Sequence, residues 1–179
     1  RQFSITINAP AISSFTSSGT FSVPSGVTAV DVLVVGGGGG GGTHHASGGG
    51  AGGLIYRPAF PVSPGSTITV TVGDGGGQTN NYPAPDNPSG QAGNDGQNSV
   101  FGTLTAKGGG KSGTNQTPGT NGGSGGGCGY GTSSGGTANQ PTQSGESGNY
   151  GFGNPGGGPG ANAPRYGCGG GGGAGAAGN

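Results

Sequence analysis

The stretch that decides the fold is VTAVDVLVVGGGGGGG, residues 27–42, in which a valine-rich run passes directly into seven consecutive glycines. Valine and other β-branched residues favour extended strands. Val27–Val35 is apolar on both faces apart from Thr28 and Asp31, which predicts a central, buried strand. Gly36–Gly42 offers no side chain for a core. The sequence therefore predicts β structure whose strands lead into glycine segments.

Other short runs also have the patterns of strands. Two of them alternate between apolar and polar residues: Gln2–Asn8, with Phe3, Ile5 and Ile7 on one face, and Thr67–Val72, with Ile68, Val70 and Val72 pointing inward. Leu54–Tyr56 and Ser99–Ala106 are further predicted strands, and Ser17-Ser18-Gly19 between Phe15 and Phe21 predicts a hairpin. Turns are predicted at Pro24-Ser25-Gly26 and Pro64-Gly65. Because no stretch has the 3.6-residue periodicity of an amphipathic helix, the predicted fold is all-β, a small β-sandwich with glycine-rich insertions.

The composition limits the classes of function. Of the 179 residues 53 are glycine, only 26% are hydrophobic and 6% are charged, and the net charge is zero. Disordered chains are commonly rich in charge, so this composition argues against simple disorder. There is no basic patch for nucleic acid and no run of about 20 apolar residues for membrane insertion. No apolar run typical of a signal peptide follows Arg1, and a start at arginine is compatible with a fragment or a processed product.

Glycine runs recur along the whole chain and are densest after residue 106. We expect two regions, a β-sandwich interrupted by glycine runs over residues 1–106 and a glycine-rich region packed on it over residues 107–179. An ordered glycine run needs dense backbone hydrogen bonding to offset its large loss of conformational entropy. A bundle of polyglycine-II helices, with three residues per turn, supplies such bonds between neighbouring segments. Flexible glycine linkers are the alternative, and the lack of a sustained G-X-Y repeat excludes collagen.

Three segments carry a resemblance to a known family. They are FTSSGTFSVPSGVTAVDVLVVGGGGGGG, GGGAGGLIYRPAFPVSPGSTITVTVGDGG and GQNSVFGTLTAKGGG, and the ending GCGGGGGAGAAG is similar too. Their order resembles the glycine-rich domain of bacteriophage tail fibres and adhesins, over roughly residues 13–179. The resemblance implies a virion, extracellular or cell-surface protein assembled into a fibre or tip, with loops between glycine segments that contact a host receptor. Such a protein is a homo-multimer, for example a trimer or a filament.

Motifs of catalysis and cofactor binding are weak. Gly36–Gly41 satisfies the dinucleotide fingerprint, but so does any glycine run, and no helix is predicted after it. Gly110-Lys111-Ser112 resembles the end of a P-loop, but Thr105 stands where that motif needs glycine. The five carboxylates, Asp31, Asp74, Asp86, Asp95 and Glu146, form no nucleophile–base–acid constellation that can be named. We therefore predict a non-enzymatic protein without cofactor or metal.

Candidate contact residues lie among the glycine runs. His44 and His45 are adjacent, with no third metal ligand nearby in the sequence, and we interpret them as a surface pair that contacts a partner chain or receptor. Tyr130, Tyr150, Phe152 and Tyr166 lie in glycine-, serine- and asparagine-rich segments, a composition typical of recognition surfaces. The alternative is that each ring shields the hydrogen bonds of a glycine sheet. Cys128 and Cys168 are compatible with one disulfide or with two thiols.

Two functions fit these features. The first is a phage-type structural adhesion module that recognises a host-cell glycan or outer-membrane protein through its loops. The second is a self-assembling structural protein of an extracellular filament, capsid fibre or matrix, since exposed backbone groups and a near-zero net charge favour association. Neither involves nucleic acid or membrane insertion.

Overall fold

The computed structural model describes residues 11–78, 90–131, 134–140, 152–160 and 167–179. These residues contain no helix and form two antiparallel sheets, so the predicted all-β class is confirmed. The strands are β1 (Gly19–Ser22), β2 (Ala29–Val35), β3 (Leu54–Pro61), β4 (Thr67–Thr71), β5 (Ser99–Phe101) and β6 (Leu104–Ala106). One sheet has the order β1-β4-β5-β6 and the other contains β2 and β3. The predicted strand Gln2–Asn8 lies outside the described residues.

Glycine-containing turns connect several of these strands as the sequence predicts. Gly26 and Gly65 have φ angles of 83° and 74° in the two predicted turns. Gly102, with φ of 56°, divides the predicted strand 99–106 into the hairpin of β5 and β6. The predicted hairpin around Ser17-Ser18-Gly19 is wrong, because β1 pairs with β4, as in Phe21 opposite Ile68. A pairing between segments so distant in sequence leaves no mark in the local pattern.

The core lies between the two sheets. It contains Val32, Val34, Ile55, Val70, Phe101, Leu104 and Ala106, with Ile68 and Val72 partly buried against it, as the alternation of Thr67–Val72 predicts. The prediction of a central, doubly buried β2 is wrong. Among the described residues β2 pairs only with β3, and Leu33 and Val35 on its outer face are 63% and 51% exposed.

Glycine segments continue the fold beyond the strands, joined by backbone hydrogen bonds with a three-residue spacing. The Gly36–Gly42 segment shows this spacing toward two neighbours: Gly36 to Gly53, Gly39 to Gly50 and Gly42 to Ser47, and then Gly37 to Gln97, Gly40 to Asn94 and Thr43 to Gln91. The same segment accepts bonds from Gly109 and Ser112 at Gly37 and Gly40. One glycine segment therefore bonds to several neighbours at once, which a strand in a flat sheet cannot do.

Segments from later in the chain bond to this framework in the same way. Ser47, Gly50 and Ala51 bond to Gly113, Gly110 and Gly172, and Gly110, Gly113 and Gln116 donate to Ser124, Gly127 and Tyr130. Gly169 and Gly172 donate to Cys128 and Gly125. We refer to these hydrogen-bonded segments, within residues 36–43, 47–53, 73–77, 91–97, 107–129 and 167–173, as the glycine framework. The division of the chain at residue 106 stays a prediction.

Candidate functional site

A short turn at one end of a glycine segment carries the two histidines. Thr43 fixes its first side, because its N–H donates to the Gln91 carbonyl at 2.9 Å and its Oγ1 accepts from the Gln91 N–H at 3.3 Å. Ser47 fixes the other side: its N–H donates to the Gly113 carbonyl and its Oγ accepts from the Gly113 N–H at 3.1 Å. The glycine framework therefore holds both ends of the turn.

Both histidines have left-handed backbone conformations, with φ of 50° at His44 and 54° at His45. Such φ values are uncommon outside glycine, although histidine is among the residues enriched there. They cost free energy and persist only where the surroundings fix the backbone. The two rings meet edge to face, with centroids 4.5 Å apart, and His44 is exposed to solvent while His45 is half-buried. The turn therefore presents the His44 ring outward over a fixed backbone.

Tyr130 joins the histidines from a distant part of the chain. Its ring centroid lies 5.6 Å from that of His45, and its N–H donates to the His45 carbonyl at 3.1 Å. The Gln116 N–H donates in turn to the Tyr130 carbonyl at 2.7 Å, and Gln116 itself has φ of 60°. We call His44, His45 and Tyr130 the His–Tyr cluster. The cluster combines aromatic ring faces with hydrogen-bonding groups. This combination is suited to a partner surface that presents both apolar and polar groups.

The two cysteines lie on adjacent segments beside this cluster. The Gly169 N–H donates to the Cys128 carbonyl at 3.1 Å, which places Cys168 next to Cys128, and the Cys168 thiol donates to the His45 carbonyl at 3.2 Å. Cys128 is fully buried, and no disulfide joins the two cysteines in this structure. Partial burial raises the pKa of the Cys168 thiol; a hydrogen bond from the Tyr130 backbone acts in the opposite direction, and the nearby Cys128 raises it further.

Mild oxidation is expected to join Cys128 to Cys168, each thiol losing one proton and one electron to the added oxidant. The adjacent positions of the two residues favour the bond, whereas the raised pKa of Cys168 slows its formation at neutral pH, since the thiolate is the reactive form. Intact mass and peptide mapping without reductant measure the product. Monomeric protein with both thiols still alkylatable after exhaustive oxidation would contradict the pairing.

The remaining predicted contact residues have different outcomes. Phe152 lies beside the start of β3, where its carbonyl accepts the Leu54 N–H at 3.2 Å, at the opposite end of segment 48–53 from the histidine turn. Tyr150 and Tyr166 lie outside the described residues. The structure thus brings His44, His45, Tyr130 and Cys168 together from segments far apart in the sequence, and the role of these residues as receptor contacts stays a prediction.

Sequence reasoning missed the residues that support the cluster. Thr43, Gln91 and Ser47 fix the histidine turn, and Gln116 supports Tyr130 through a bond to its carbonyl. Their common feature is position, because each is the next residue in a row of hydrogen bonds spaced by three. Only the hydrogen-bond register between neighbouring glycine segments could have revealed these residues.

Neither a metal-binding cluster nor a membrane-spanning helix occurs in the described part of the chain. Within the described ranges, no three His, Cys, Asp or Glu side chains approach one another as a metal site would require. In the same part of the chain no helix has the length and apolarity needed to cross a bilayer.

Two antiparallel sheets joined to a hydrogen-bonded glycine framework define an all-β protein of glycine-rich type. The family model of the glycine-rich domain matches residues 15–179, and the chain therefore belongs to the glycine-rich domain family. Searches of curated proteins and of solved structures gave no significant match.

Proposed function

We propose that the chain is a non-enzymatic, phage tail-fibre-type structural adhesion module, found in the virion or at the cell surface, that contacts a host receptor through the His–Tyr cluster. One observation carries the proposal: adjacent left-handed histidines lie on a turn fixed at both ends, with a tyrosine ring beside them. The resemblance of residues 13–179 to phage adhesins supports the same assignment.

The framework suits recognition because it reduces the entropy lost on binding. Rigid loops lose little conformational freedom when they bind, and aromatic rings add contact area with few rotatable bonds. The histidine turn is bonded to Gln91, Gly113 and Tyr130, so three different segments fix it. The three-residue spacing of the glycine bonds supports a polyglycine-II type of packing, which has the same three-residue period. In this proposal the glycine framework is the scaffold and the turn is the contact surface.

Binding of the labelled protein to Gram-negative cells and to purified lipopolysaccharide tests the proposal. The double variant His44→Asn/His45→Asn keeps a residue that tolerates the left-handed backbone but removes both imidazoles. Its affinity for the cells is expected to fall about tenfold or more, the size typical of an important interface residue. Binding that survives protease treatment of the cells assigns a glycan receptor, and binding abolished by that treatment assigns an outer-membrane protein.

Ala59→Asn is the matched control. Ala59 is also exposed and left-handed, with φ of 47°, but it lies in β3, in a bulge where the register with β2 shifts between Val30 and Val32. The Ala59→Asn variant should bind like the wild-type protein. Equal binding by the histidine variant and the wild type would exclude the histidine turn as the contact. A wild-type protein that binds no cell surface, across a panel of hosts, would contradict the adhesion module itself.

Self-assembly is the second candidate, and a different surface favours it. Leu33 and Tyr56 are opposite each other across β2 and β3, and their side chains are 63% and 41% exposed. Together with Val35 they form an apolar outer face on a chain of zero net charge, which favours association. Sedimentation in the same samples separates the two functions. A wild-type filament or closed particle that Leu33→Ser dissolves would make assembly the primary function.

A further inference from the structure

The thiol of Cys168 lies where the segments that build the His–Tyr cluster meet. It donates to the His45 carbonyl at 3.2 Å, and the Tyr130 N–H donates to the same carbonyl at 3.1 Å. The Tyr130 backbone also forms a hydrogen bond with the Cys168 sulfur. The His45 carbonyl therefore joins three segments that are far apart in the sequence.

The histidine turn depends on such bonds because its backbone is strained. His44 and His45 are consecutive residues with left-handed φ angles, a conformation that costs free energy and persists only where the surroundings fix it. The two ends of the turn are bonded to neighbouring glycine segments. The Tyr130 N–H and the Cys168 thiol fix the middle of the turn, at the second strained residue. Loss of either donor should therefore let the turn leave this conformation more often.

The ability of Cys168 to donate depends on its chemical state. A thiol has one proton to donate, whereas a thiolate and a disulfide sulfur have none. Burial raises the pKa of the Cys168 thiol, a hydrogen bond from the Tyr130 backbone lowers it, and the nearby Cys128 raises it, so that the net direction is upward. The raised pKa keeps the thiol protonated at neutral pH. Oxidation is therefore the change that removes the donor.

Cys128 is placed to take part in this oxidation. The Gly169 N–H, one residue after Cys168, donates to the Cys128 carbonyl at 3.1 Å, so the two cysteines lie on directly bonded segments. Cys128 is fully buried and Cys168 is half-buried. A soluble oxidant therefore reaches Cys168 first, and Cys128 is the residue that completes the disulfide.

We propose that Cys128 and Cys168 form a redox switch for the His–Tyr cluster. In the dithiol state Cys168 holds the His45 carbonyl, and in the disulfide state it has no proton to donate and releases the histidine turn. A low-molecular-weight disulfide such as oxidised glutathione drives the change.

The oxidation takes place by two exchange steps. The Cys168 thiolate attacks one sulfur of the small disulfide and displaces a small thiol, which leaves a mixed disulfide on Cys168. The Cys128 thiolate then attacks the Cys168 sulfur and displaces the second small thiol. The protein loses two electrons and two protons, and both are recovered in the two small thiols.

The switch deepens the proposed adhesion function, and its effect on receptor binding rests on that function. The reduced protein presents a fixed turn, whereas the oxidised protein presents a loosened turn that has to be ordered on binding. The oxidised protein should therefore bind host cells more weakly than the reduced protein. The effect of oxidation on the turn itself does not depend on a receptor.

NMR spectroscopy of the dithiol and disulfide forms of the full chain tests the switch. Exchange of the Tyr130 amide reports on its bond to the His45 carbonyl. After complete oxidation with oxidised glutathione this amide is expected to exchange about threefold faster or more, the effect of losing one weak hydrogen bond. The Gly39 amide, which donates to Gly50 in the glycine framework, should exchange at the same rate in both forms.

Two variants separate the role of the donor from that of the cross-link. Cys168→Ala has neither, so its Tyr130 amide should exchange as fast as in the oxidised wild type, with or without glutathione. Cys168→Ser is the matched control, because its hydroxyl can donate but cannot form a disulfide. Its Tyr130 amide should keep the slow exchange of the reduced wild type and should not respond to glutathione.

The switch would be overturned by persistence of both thiols after exhaustive oxidation, measured by intact mass. It would also be overturned if the Tyr130 amide exchanged in the disulfide form, or in Cys168→Ala, as slowly as in the reduced wild type. Failure of the proposed function gives a different result. If oxidation speeds the exchange of this amide while reduced and oxidised proteins bind cells equally, the switch is supported and the histidine turn is not the receptor contact.

Discussion

Replacing Gly39 with alanine is expected to destabilise the protein by about 3 kcal/mol or more, the upper range for inserting an atom into a packed interior. A Cβ at this position would overlap the carbonyl group of Gly110, and the Gly109 carbonyl oxygen would lie 3.0 Å away. These are backbone atoms, and Gly110 itself donates to Ser124 and accepts from Gly50. The obstruction therefore cannot move without breaking further hydrogen bonds. Denaturant unfolding, followed by circular dichroism, measures the loss.

The neighbouring glycine provides the control. At Gly38 an added Cβ would have its nearest neighbour, the Gly50 carbonyl oxygen, at 3.8 Å, an ordinary van der Waals distance, and the residue is exposed. Gly38→Ala should change stability by no more than about 0.5 kcal/mol and can stabilise slightly, because alanine restricts the unfolded chain. If the two variants unfolded at the same denaturant concentration, the segments could not be packed backbone against backbone, and flexible glycine linkers would be the better description.

The contrast between Gly38 and Gly39 shows what sequence reasoning could reach in the glycine regions. The low charge and the recurrence of glycine runs predict ordered segments with backbone bonding. Seven consecutive glycines, however, are identical, so the sequence does not indicate which of them face inward. That choice depends on the neighbours, since Gly39 faces Gly110 and Gly38 faces outward. Those neighbours come from distant parts of the chain.

The sequence also predicts the inward-facing side chains of some strands but not of others. The alternation of Thr67–Val72 predicts the inward side chains of β4, because one of its faces is polar. Val27–Val35 is apolar on both faces, and this pattern is the same whether the second face packs against a sheet, a partner or solvent. In the structure Val32 and Val34 point inward and Leu33 is exposed. The alternation within β2 becomes visible only once the opposing sheet is known.

The candidate site was predictable by residue type but not by arrangement. His44 and His45 stand out as the two histidines of the chain, and Tyr130 stands out because it lies in a segment rich in glycine and serine. Their contact depends on a row of bonds between two segments. Gly127 donates to Gly48, and Tyr130, three residues later, donates to His45, three residues before Gly48. The same register brings Cys168 to His45. No local pattern encodes this register, because it is set by which segments are adjacent.

Ile55→Ala is expected to cost about 4 kcal/mol, within the range for truncating a fully buried isoleucine. Ile55 is completely buried at the centre of the core, opposite Val34 across β2 and β3. The hydrophobic cluster is small, with Val32, Val34, Val70, Phe101 and Leu104 as its other large members, so few side chains can move to fill the space. Thermal and denaturant unfolding of the variant measure the cost.

Tyr56→Thr tests whether this cost comes from burial or from the strand itself. Tyr56 is the next residue of β3, points to the opposite face and is 41% exposed, and threonine retains strand propensity. Its replacement should cost no more than about 1 kcal/mol, the size of one cross-strand pair. A small effect of Ile55→Ala would mean that the hydrogen bonds of the glycine framework, and not the hydrophobic cluster, dominate the free energy of unfolding. Ile55→Ala and Tyr56→Thr therefore measure how much the sandwich contributes to the free energy of unfolding. Gly39→Ala measures the contribution of the glycine framework.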